Sequence, residues 1–204
     1  MVQQRTTKLK SVRFILKSTI LYASFSAAFS LVGIFPIFGD FLPKPYIIGN
    51  PLEVSGISIE HVVGHIVFGL IVGIGTLNTR YFVLAGIFPI ALDSDHLVQF
   101  LNLEAIPRMG HSVTFGLISM TLMMFLLGKR DFRLGAISLA AVFSHVSFDI
   151  LIGGTTAFPL FIPFQNDMIT LQGYDWIFSL LVAITIVGSA TMLTKKAQMA
   201  KQTT

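Results

Sequence analysis

Residues 60–69 read EHVVGHIVFG, and they place Glu60, His61 and His65 in a segment that is otherwise apolar. His61 and His65 are four residues apart, so in a helix both side chains project from one face. Ionisable side chains are costly in hydrocarbon, and those in membrane spans normally pair with one another or line a functional cavity. The stretch therefore predicts a transmembrane helix that contributes to a polar site.

The composition of the whole chain is typical of a polytopic membrane protein. Of its 204 residues, 53% are hydrophobic and only 12% are charged, and the mean hydropathy is +0.78. Such values favour a helical membrane bundle over a soluble domain. We expect an all-α fold in which residues 1–204 form a single integral membrane domain. The chain has no cysteine, which excludes disulfides, thiolate metal sites and cysteine nucleophiles.

Six apolar stretches are candidate spans. Backbone groups in lipid have no partner outside their own segment, so we expect each stretch to be helical. The third is the least regular, because its apolar part, residues 81–92, is followed at once by the polar DSDH. Either this helix continues through LVQFL (residues 97–101), or the polar segment lies in a cavity lined by protein. The spans cover roughly residues 14–38, 57–77, 81–100, 112–128, 134–152 and 175–194.

The distribution of positive charge predicts the orientation. Of the 14 Lys and Arg residues, all except Lys44 and Arg108 lie near the N-terminus, in the turns after spans two and four, or in the C-terminal tail. Positive charge concentrates on the cytoplasmic side of membrane proteins. We therefore expect a multi-pass protein of the cell membrane with both termini cytoplasmic, residues 1–13 forming a basic arm and residues 195–204 a tail. The net charge of +4 then needs no nucleic-acid partner, and the expected partner is the lipid bilayer.

The two predicted external loops, residues 39–56 and 153–174, are rich in Pro and Gly but also apolar. The segment AFPLFIPF (residues 157–164) is too apolar for a solvated loop. We expect it to lie at the membrane interface or to dip in.

The ionisable residues of the spans share one depth. All five histidines lie in or beside spans, and three aspartates accompany them. Counted from the cytoplasmic ends at about 1.5 Å per residue, they lie roughly 18–27 Å above the inner boundary of a hydrocarbon layer about 30 Å thick. Four helices would thus bring acids and imidazoles into the outer half of the membrane. These residues are His61, His65, Asp93, Asp95, His96, His111, His145 and Asp149.

This convergence predicts a metal site. At this depth the spans contain no Lys or Arg that would balance the aspartates, so a divalent cation is the simplest counter-charge. Imidazole and carboxylate ligands without sulfur favour Zn²⁺, Mn²⁺, Fe²⁺ or Ni²⁺ over Mg²⁺ alone, and we expect one or two ions of Zn²⁺ or Mn²⁺. The predicted ligands are His65, Asp93, His96, His111, His145 and Asp149.

Four neighbouring residues have roles that the pattern leaves open, and the first two are the candidate catalytic residues. Asp95 would bridge two metal ions or act as a general base. Arg108, just outside the common depth, would hold a phosphate or carboxylate oxygen of a substrate or anchor a lipid headgroup. Glu60 and His61 are either direct ligands or outer partners. A fifth residue, Ser112, is predicted to cap the fourth helix.

The order of these elements resembles the YdjM-like family of membrane-bound, predicted metal-dependent hydrolases. The matching segments are HIVFG (65–69), ALDSDH (91–96), PRMGHS (107–112) and HVSFD (145–149) with the Gly and Pro that follow it. Three positions depart from the family pattern: Ala91 where Pro is common, Pro107 in place of a possible His ligand, and Gly110 in place of Thr. The resemblance covers residues 61–164 and implies a metal-dependent hydrolase.

Together these observations favour a membrane-embedded, metal-dependent hydrolase with a lipid-like substrate such as a phosphoester. Two alternatives remain open: transport of a metal ion or proton, although the inner halves of the spans are apolar, and a non-catalytic protein whose helices a metal ion holds together. A zincin-type protease is disfavoured because Val62 stands where the base Glu would follow the first His. A serine hydrolase is disfavoured because the neighbours His111 and Ser112 cannot face each other in a helix.

Overall fold

The computed structural model describes residues 2–32, 58–101, 108–127, 130–165 and 167–202. The predicted loop 39–56 with Lys44, and also Pro107 and Lys129, lie outside the described residues. The described residues contain six α-helices, short 3₁₀ segments and one two-stranded ribbon. They are α1 (Val2–Val32), α2 (Ile59–Gly73), α3 (Thr79–Leu92), α4 (Val113–Leu126), α5 (Phe132–Gly153), β1 (Thr155–Phe158), β2 (Ile169–Gln172) and α6 (Asp175–Gln202).

The mainly helical fold is confirmed, and each of the six predicted stretches contains an α-helix. Four segments are long and apolar enough to cross a membrane: Lys8–Leu31, Ile59–Thr76, Phe132–Gly153 and Asp175–Gln202. Helix α4 is apolar but shorter, and α3 has 14 residues. The chain thus has the helices of a membrane protein.

Two helices extend beyond the predicted spans. Helix α1 begins at Val2, so the basic arm predicted over residues 1–13 is helical where it is described. Helix α6 continues to Gln202, which makes most of the tail predicted over residues 195–204 helical as well. Both segments contain several Lys and Gln residues, which are good helix formers in water.

Helix α5 forms the centre of the bundle. Of its span 83% is buried inside the protein, whereas no other candidate span exceeds 28%. Among the described elements it contacts α2, α3, α4 and α6. Small buried residues on α5 allow this close approach; they include Gly135, Ala136, Ser138, Ala140, Ala141 and Ser144. The helix that carries His145 and Asp149 is therefore the one against which the others are positioned.

Helices α2 and α3 approach each other closely at Gly69. A β-carbon at Gly69 would lie 2.1 Å from the carbonyl oxygen of Ala85. Pro89 stands four residues after Ala85 and has no amide hydrogen, so it cannot satisfy this carbonyl within α3. Gly73 faces the same helix, since a β-carbon there would lie 2.9 Å from that of Ala85. Glycines four residues apart are a common way for membrane helices to pack closely.

Strands β1 and β2 form an antiparallel ribbon that the sequence did not predict. Strand β1 pairs with β2 so that Phe158 lies opposite Ile169. The strands are too short to show a clear alternation of polar and apolar residues. Phe158 and Ile162 are buried, whereas Phe164 is 87% exposed. Part of the apolar segment AFPLFIPF therefore packs into the protein, and its far end does not.

Substitution Gly69→Ala is expected to destabilise the protein, because the added methyl group would overlap the carbonyl of Ala85. Overpacking of a close contact costs typically about 1–3 kcal/mol. We expect a lower thermal unfolding midpoint for the detergent-solubilised variant. The matched control is Gly188→Ala in α6, where no atom lies within 4 Å of a β-carbon and the midpoint should not fall. Equal midpoints for Gly69→Ala and the wild type would contradict this packing.

Candidate metal centre

The ends of several helices meet at one end of the bundle. Short turns join α2 to α3 and α4 to α5, so these neighbours run in opposite directions and the start of one helix lies beside the end of the next. The start of α2, the 3₁₀ segment after α3, the turn before α4 and the second half of α5 each supply ionisable side chains. The eight predicted site residues lie together there, and His61 lies with them. The eight are His65, Asp93, Asp95, His96, Arg108, His111, His145 and Asp149.

His61 and His65 lie on one face of α2, as their spacing predicts. Their Nε2 atoms are 2.9 Å apart. Gly64, between them, leaves room for the ring of Phe148, since a β-carbon at this position would lie 1.8 Å from a ring carbon. The Phe148 ring packs edge-on against His65, with 4.9 Å between the ring centroids. This contact holds the histidine face of α2 against α5.

The change of winding after α3 turns its polar residues towards the site. The α-helix ends at Leu92, and residues 93–101 form a 3₁₀ segment. Residues three apart lie above one another in a 3₁₀ helix, and Asp93 Oδ1 is 3.5 Å from His96 Nε2. Asp95 Oδ2 lies 3.1 Å from His111 Nδ1. Asp93, Asp95 and His96 all reach the site, as we expected if the helix unwound after Pro89.

The same change of winding frees a carbonyl that orients His145. In a continued α-helix the amide of Asp93 would bind the carbonyl of Pro89, but it binds those of Ile90 and Ala91 instead. The Pro89 carbonyl lies 2.7 Å from His145 Nδ1. Because a carbonyl only accepts, Nδ1 carries the hydrogen and donates it, and the Nε2 of a neutral His145 presents a lone pair to the site.

His111 is oriented by a carboxylate in the same manner. It directly precedes α4, whose cap Ser112 accepts from the amide of Phe115 at 3.0 Å, as predicted. The Nδ1 of His111 donates to Asp95 Oδ2, so its Nε2 faces the centre, 2.9 Å from the Nε2 of His145. Two imidazole lone pairs this close repel each other unless a cation or a proton lies beside them. In this structure the Arg108 guanidinium donates to His111 Nε2 at 2.6 Å, and a metal ion bound there would take its place.

Two carboxylates surround these nitrogens. Asp93 Oδ1 lies 3.5 Å from His111 Nε2 and 3.4 Å from His145 Nε2. Asp149 is 3.3 Å from His65 Nε2 through Oδ1 and 3.3 Å from His145 Nε2 through Oδ2. Ligand atoms that share one ion at about 2.0–2.2 Å are separated by roughly 3–3.5 Å. The spacing therefore fits donors arranged around a metal ion.

Several buried atoms of the site have no hydrogen-bond partner among the described residues. A buried polar atom without a partner is costly, so native proteins normally satisfy it with another group, a water molecule or an ion. The three carboxylate oxygens in this set lie 3.3–3.8 Å from histidine Nε2 atoms of the centre and fit a cation, whereas the two Nδ1 atoms lie on the other side of their rings. The atoms are His65 Nδ1, His96 Nδ1, Asp93 Oδ1, Asp95 Oδ1 and Asp149 Oδ1.

Arg108 lies among the other predicted site residues, although the count of residues along the helix put it just outside their common depth. Its Nη2 is 2.6 Å from His111 Nε2, and it lies 3.9 Å from Asp93 and 3.8 Å from Asp149. The depth had been counted along a straight fourth helix, whereas Met109–His111 is a 3₁₀ turn that precedes α4. The aspartates therefore have a cationic neighbour that the sequence did not reveal.

The centre is closed on most sides and accessible near His61, Asp93 and Arg108. Their side chains are 12%, 11% and 25% exposed, whereas the other four histidines are at most 3% exposed. Glu60 is exposed and belongs to none of the described groups of potential ligands. Of the two residues left open by the sequence, His61 is therefore part of the centre and Glu60 is not.

Buried His and Asp clusters that could hold a metal ion are present, as predicted. Within each of three groups the ligand atoms lie within 4.8 Å of one another. Asp93 belongs to two of these groups and Asp95 to one. The carboxylate that two groups share is therefore Asp93, whereas Asp95 lies behind His111. The groups are Asp93, Asp95, His96 and His111; His61, His65 and Asp93; and His65, His145 and Asp149.

No family model, curated protein or solved structure matches this chain. The resemblance to the YdjM-like family therefore stays a prediction. The functional assignment rests on the geometry of the centre.

Helix α1 supplies a layer of hydroxyl groups behind the centre that the sequence analysis missed. Tyr22, Ser26 and Ser30 recur every four residues and are fully buried. Ser26 donates to the Leu92 carbonyl at 2.6 Å, and Ser30 lies 3.4 Å from Asp95 Oδ2. The regular spacing of these hydroxyls is the signal that would have identified a polar face of α1. Ser26 and Ser30 hold the point at which α3 gives way to the 3₁₀ segment, whereas Tyr22 donates to the Ser138 carbonyl on α5, further from the centre.

Gly110 completes the surroundings of Asp95. A β-carbon at this position would lie 2.5 Å from Ser26 Oγ and 2.9 Å from Asp95 Oδ2. Gly110, which departs from the YdjM-like pattern, therefore lies where an added β-carbon would displace the Ser26 and Asp95 side chains.

Substitution Asp95→Asn is expected to weaken metal binding although Asp95 need not touch the ion. An asparagine accepts less strongly from His111 Nδ1 and can present its amide to it, so His111 loses its fixed tautomer. Loss of such an outer partner typically lowers metal affinity about 10- to 100-fold. Titration with Zn²⁺ in competition with a chelator measures this.

Asp167→Asn is the matched control, because Asp167 is exposed on the loop between β1 and β2. Its metal affinity should equal that of the wild type. An Asp95→Asn variant that is folded and binds metal as tightly as the wild type would show that Asp95 does not act through His111.

Proposed function

We propose that this protein is a membrane-embedded, metal-dependent hydrolase. The observation that carries the proposal is the pair of Nε2 atoms of His111 and His145, which face each other at 2.9 Å. Each Nδ1 donates to an acceptor, Asp95 or the Pro89 carbonyl, so both lone pairs point at the same place. Divalent cations bound by these nitrogens would displace Arg108 from His111, remove the repulsion between the lone pairs and balance the nearby carboxylates.

The donor set indicates which ions fit. It consists of imidazole nitrogens and carboxylate oxygens, and the chain contains no cysteine. Zn²⁺ and Mn²⁺ suit such ligands. When bound, the ion would supply an activated water molecule and polarise the scissile group.

Arg108 is proposed to hold an anionic oxygen of the substrate. Its guanidinium is 25% exposed on the accessible side and lies within 4 Å of Asp93 and Asp149. A metal ion that neutralises these carboxylates leaves more of the guanidinium hydrogens free for the substrate. Because Arg binds phosphate oxygens in a bidentate manner, a phosphoester is the proposed substrate.

Asp95 has a positioning role in this proposal and is not assigned as the general base. Its side chain is fully buried and contacts the Nδ1 side of His111, away from the accessible side. Asp93 and His61 are the exposed ionisable groups that would meet the substrate beside Arg108.

A lipid-like phosphoester fits the surroundings of the centre. Phe158, at the end of β1, packs near His111, with 6.4 Å between the ring centroids. The segment that follows exposes Phe161 and Phe164, which are suited to contact with lipid. The resemblance to the YdjM-like family supports a hydrolase on separate grounds.

In the proposed topology, six helices cross the cell membrane with both termini cytoplasmic and the centre in the outer half. The described helices alternate so that the starts of α2 and α4 and the ends of α3 and α5 lie at the end that holds the centre. The basic turns and both termini belong to the opposite end, which positive charge favours as the cytoplasmic one. Helices as short as α3 and α4 are accommodated because the polar segments that extend them are covered by protein.

Transport of a metal ion or proton is less well supported. The prediction that the half opposite the centre is apolar was wrong in part, because Tyr22, Ser119 and Ser138 are buried there. Their hydroxyl hydrogens are, however, bound by backbone carbonyls. That half contains no buried carboxylate or histidine among the described residues, so no relay leads through it.

The hydrolase proposal predicts metal-dependent release of phosphate or alcohol from lipid phosphoesters in mixed micelles. Purified protein loaded with Zn²⁺ or Mn²⁺ should be active, a chelator should abolish activity, and His145→Ala should reduce it to the rate without enzyme. Arg108→Gln should raise KM roughly 10- to 150-fold, which corresponds to about 1.5–3 kcal/mol for a hydrogen bond to a charged group.

Glu60→Gln is the control for this series, because Glu60 lies next to His61 in sequence but outside the centre. It should retain wild-type activity. Metal-loaded protein that releases nothing from a broad panel of phosphoesters and lipid esters would refute the proposal. Metal flux into proteoliposomes that His145→Ala abolishes would favour transport instead.

The topology is testable by cysteine labelling, because the chain has no native cysteine. In intact cells, a membrane-impermeant maleimide should modify Gln165→Cys, on the exposed loop between β1 and β2, and leave Gln198→Cys, near the end of α6, unmodified. Both should react after the cells are permeabilised. The reverse pattern would place the metal centre on the cytoplasmic side.

A further inference from the structure

The centre contains more donors than one ion can use. Five histidines and three aspartates contribute to its groups of potential ligands. A tetrahedral ion takes about four ligand atoms, and an octahedral ion about six, several of which are commonly water. A single ion would therefore leave several buried imidazoles or carboxylates without a partner, at a considerable cost in free energy.

These donors separate into two sets that come from different elements. The first consists of Asp93, Asp95, His96 and His111, from the 3₁₀ segment after α3 and the turn before α4. The second set comes from α2 and α5 and comprises His61, His65, His145 and Asp149. These residues fall into two groups that share His65, one of which also includes Asp93. Two atoms bound to one ion at about 2.1 Å are at most roughly 4.2 Å apart. Among the described residues, no group of mutually close ligand atoms contains both His96 and His65.

Asp93 joins the two sets through its two oxygen atoms. Its Oδ1 lies 3.5 Å from His96 Nε2, and its Oδ2 lies 3.9 Å from His61 Nε2. Oδ1 also lies 3.4 Å from His145 Nε2, so Asp93 contacts both sets through Oδ1 and reaches the second set through Oδ2 as well. Two-metal hydrolytic sites hold their ions about 3.5–4 Å apart, which is a distance that one carboxylate can bridge.

His65 and His145 make the second set compact. Their rings stack with 3.8 Å between the centroids, and Asp149 reaches the Nε2 atom of each at 3.3 Å. The spacing of these three donors matches ligands of one ion without any contribution from His96 or His111. The second set is therefore sufficient to hold an ion of its own.

We infer that the centre binds two divalent ions bridged by Asp93, one held mainly by His96 and His111 and the other by His65, His145 and Asp149. Asp95 supports the first ion by orienting His111, and His61 lies at the accessible edge of the second. The inference rests on the metal centre of the proposed function but not on catalysis. Two adjacent ions are suited to phosphoester hydrolysis, in which they stabilise the attacking and the leaving oxygen.

The test is the number of ions bound to each chain, measured by elemental analysis of Mn²⁺- or Zn²⁺-loaded protein after gel filtration. The wild type should hold two ions per chain, and so should the control Glu60→Gln. His96→Gln and His65→Gln should each hold one. His61→Gln is the further variant for the second ion if His65→Gln does not fold, because the His61 side chain is 12% exposed; it should bind the second ion more weakly.

Electron paramagnetic resonance of the Mn²⁺-loaded protein gives an independent readout. Two ions bridged by Asp93 should give an exchange-coupled spectrum in the wild type. His96→Gln should give the spectrum of an isolated Mn²⁺ ion.

The outcomes separate this inference from the proposed function. One ion per wild-type chain overturns the inference, even if the protein hydrolyses phosphoesters. Two coupled ions without hydrolysis support the inference and refute the proposed function. A wild-type protein that binds no ion refutes both.

Discussion

The whole arrangement depends on the need to compensate buried carboxylates and imidazoles. In an environment of low polarity a charged group without a partner is expensive, and removal of one partner from a buried set leaves the others uncompensated. The donors therefore occur as an interlocking set. His111 is held by Asp95, and His145 is held by the Pro89 carbonyl. These contacts fix the imidazole tautomers, and the fixed tautomers direct the remaining nitrogens to a common centre.

The end of α3 connects packing to chemistry. Pro89 leaves the carbonyl of Ala85 without an amide donor, and Gly69 allows α2 to approach that carbonyl closely. Four residues later the winding tightens at Asp93, which frees the carbonyl of Pro89 for His145 and turns the ligands of the 3₁₀ segment inward. The same short region thus sets the distance between two helices, the tautomer of one histidine and the direction of several ligands. A small shift here would alter all three together.

Much of the fold and of the site could be predicted from local patterns in the sequence. Apolar length located all six helices, and spacing of four residues placed His61 with His65 and His145 with Asp149, because helix geometry is set by the backbone. Contacts made across the chain were not accessible in this way. The contacts of Arg108 with Asp93 and Asp149 were not predicted, because the 3₁₀ turn before α4 leaves no clear mark in sequence. The β-ribbon was missed because its strands are short, and the support from Ser26 and Ser30 was missed because α1 reads as a uniformly apolar span.

By itself, the sequence determined that this is a helical membrane-type protein and which residues offer imidazole and carboxylate donors. It did so because hydrophobic length and residue chemistry are local properties that need no knowledge of neighbours. Only the tertiary structure decided that Asp93 is the shared carboxylate, that Asp95 stands behind His111, and that Arg108 lies among the acids. Those roles depend on distances of 3–4 Å between atoms of different helices. Such distances are set by how the helices pack and where each one ends, and residues far apart in the chain determine both.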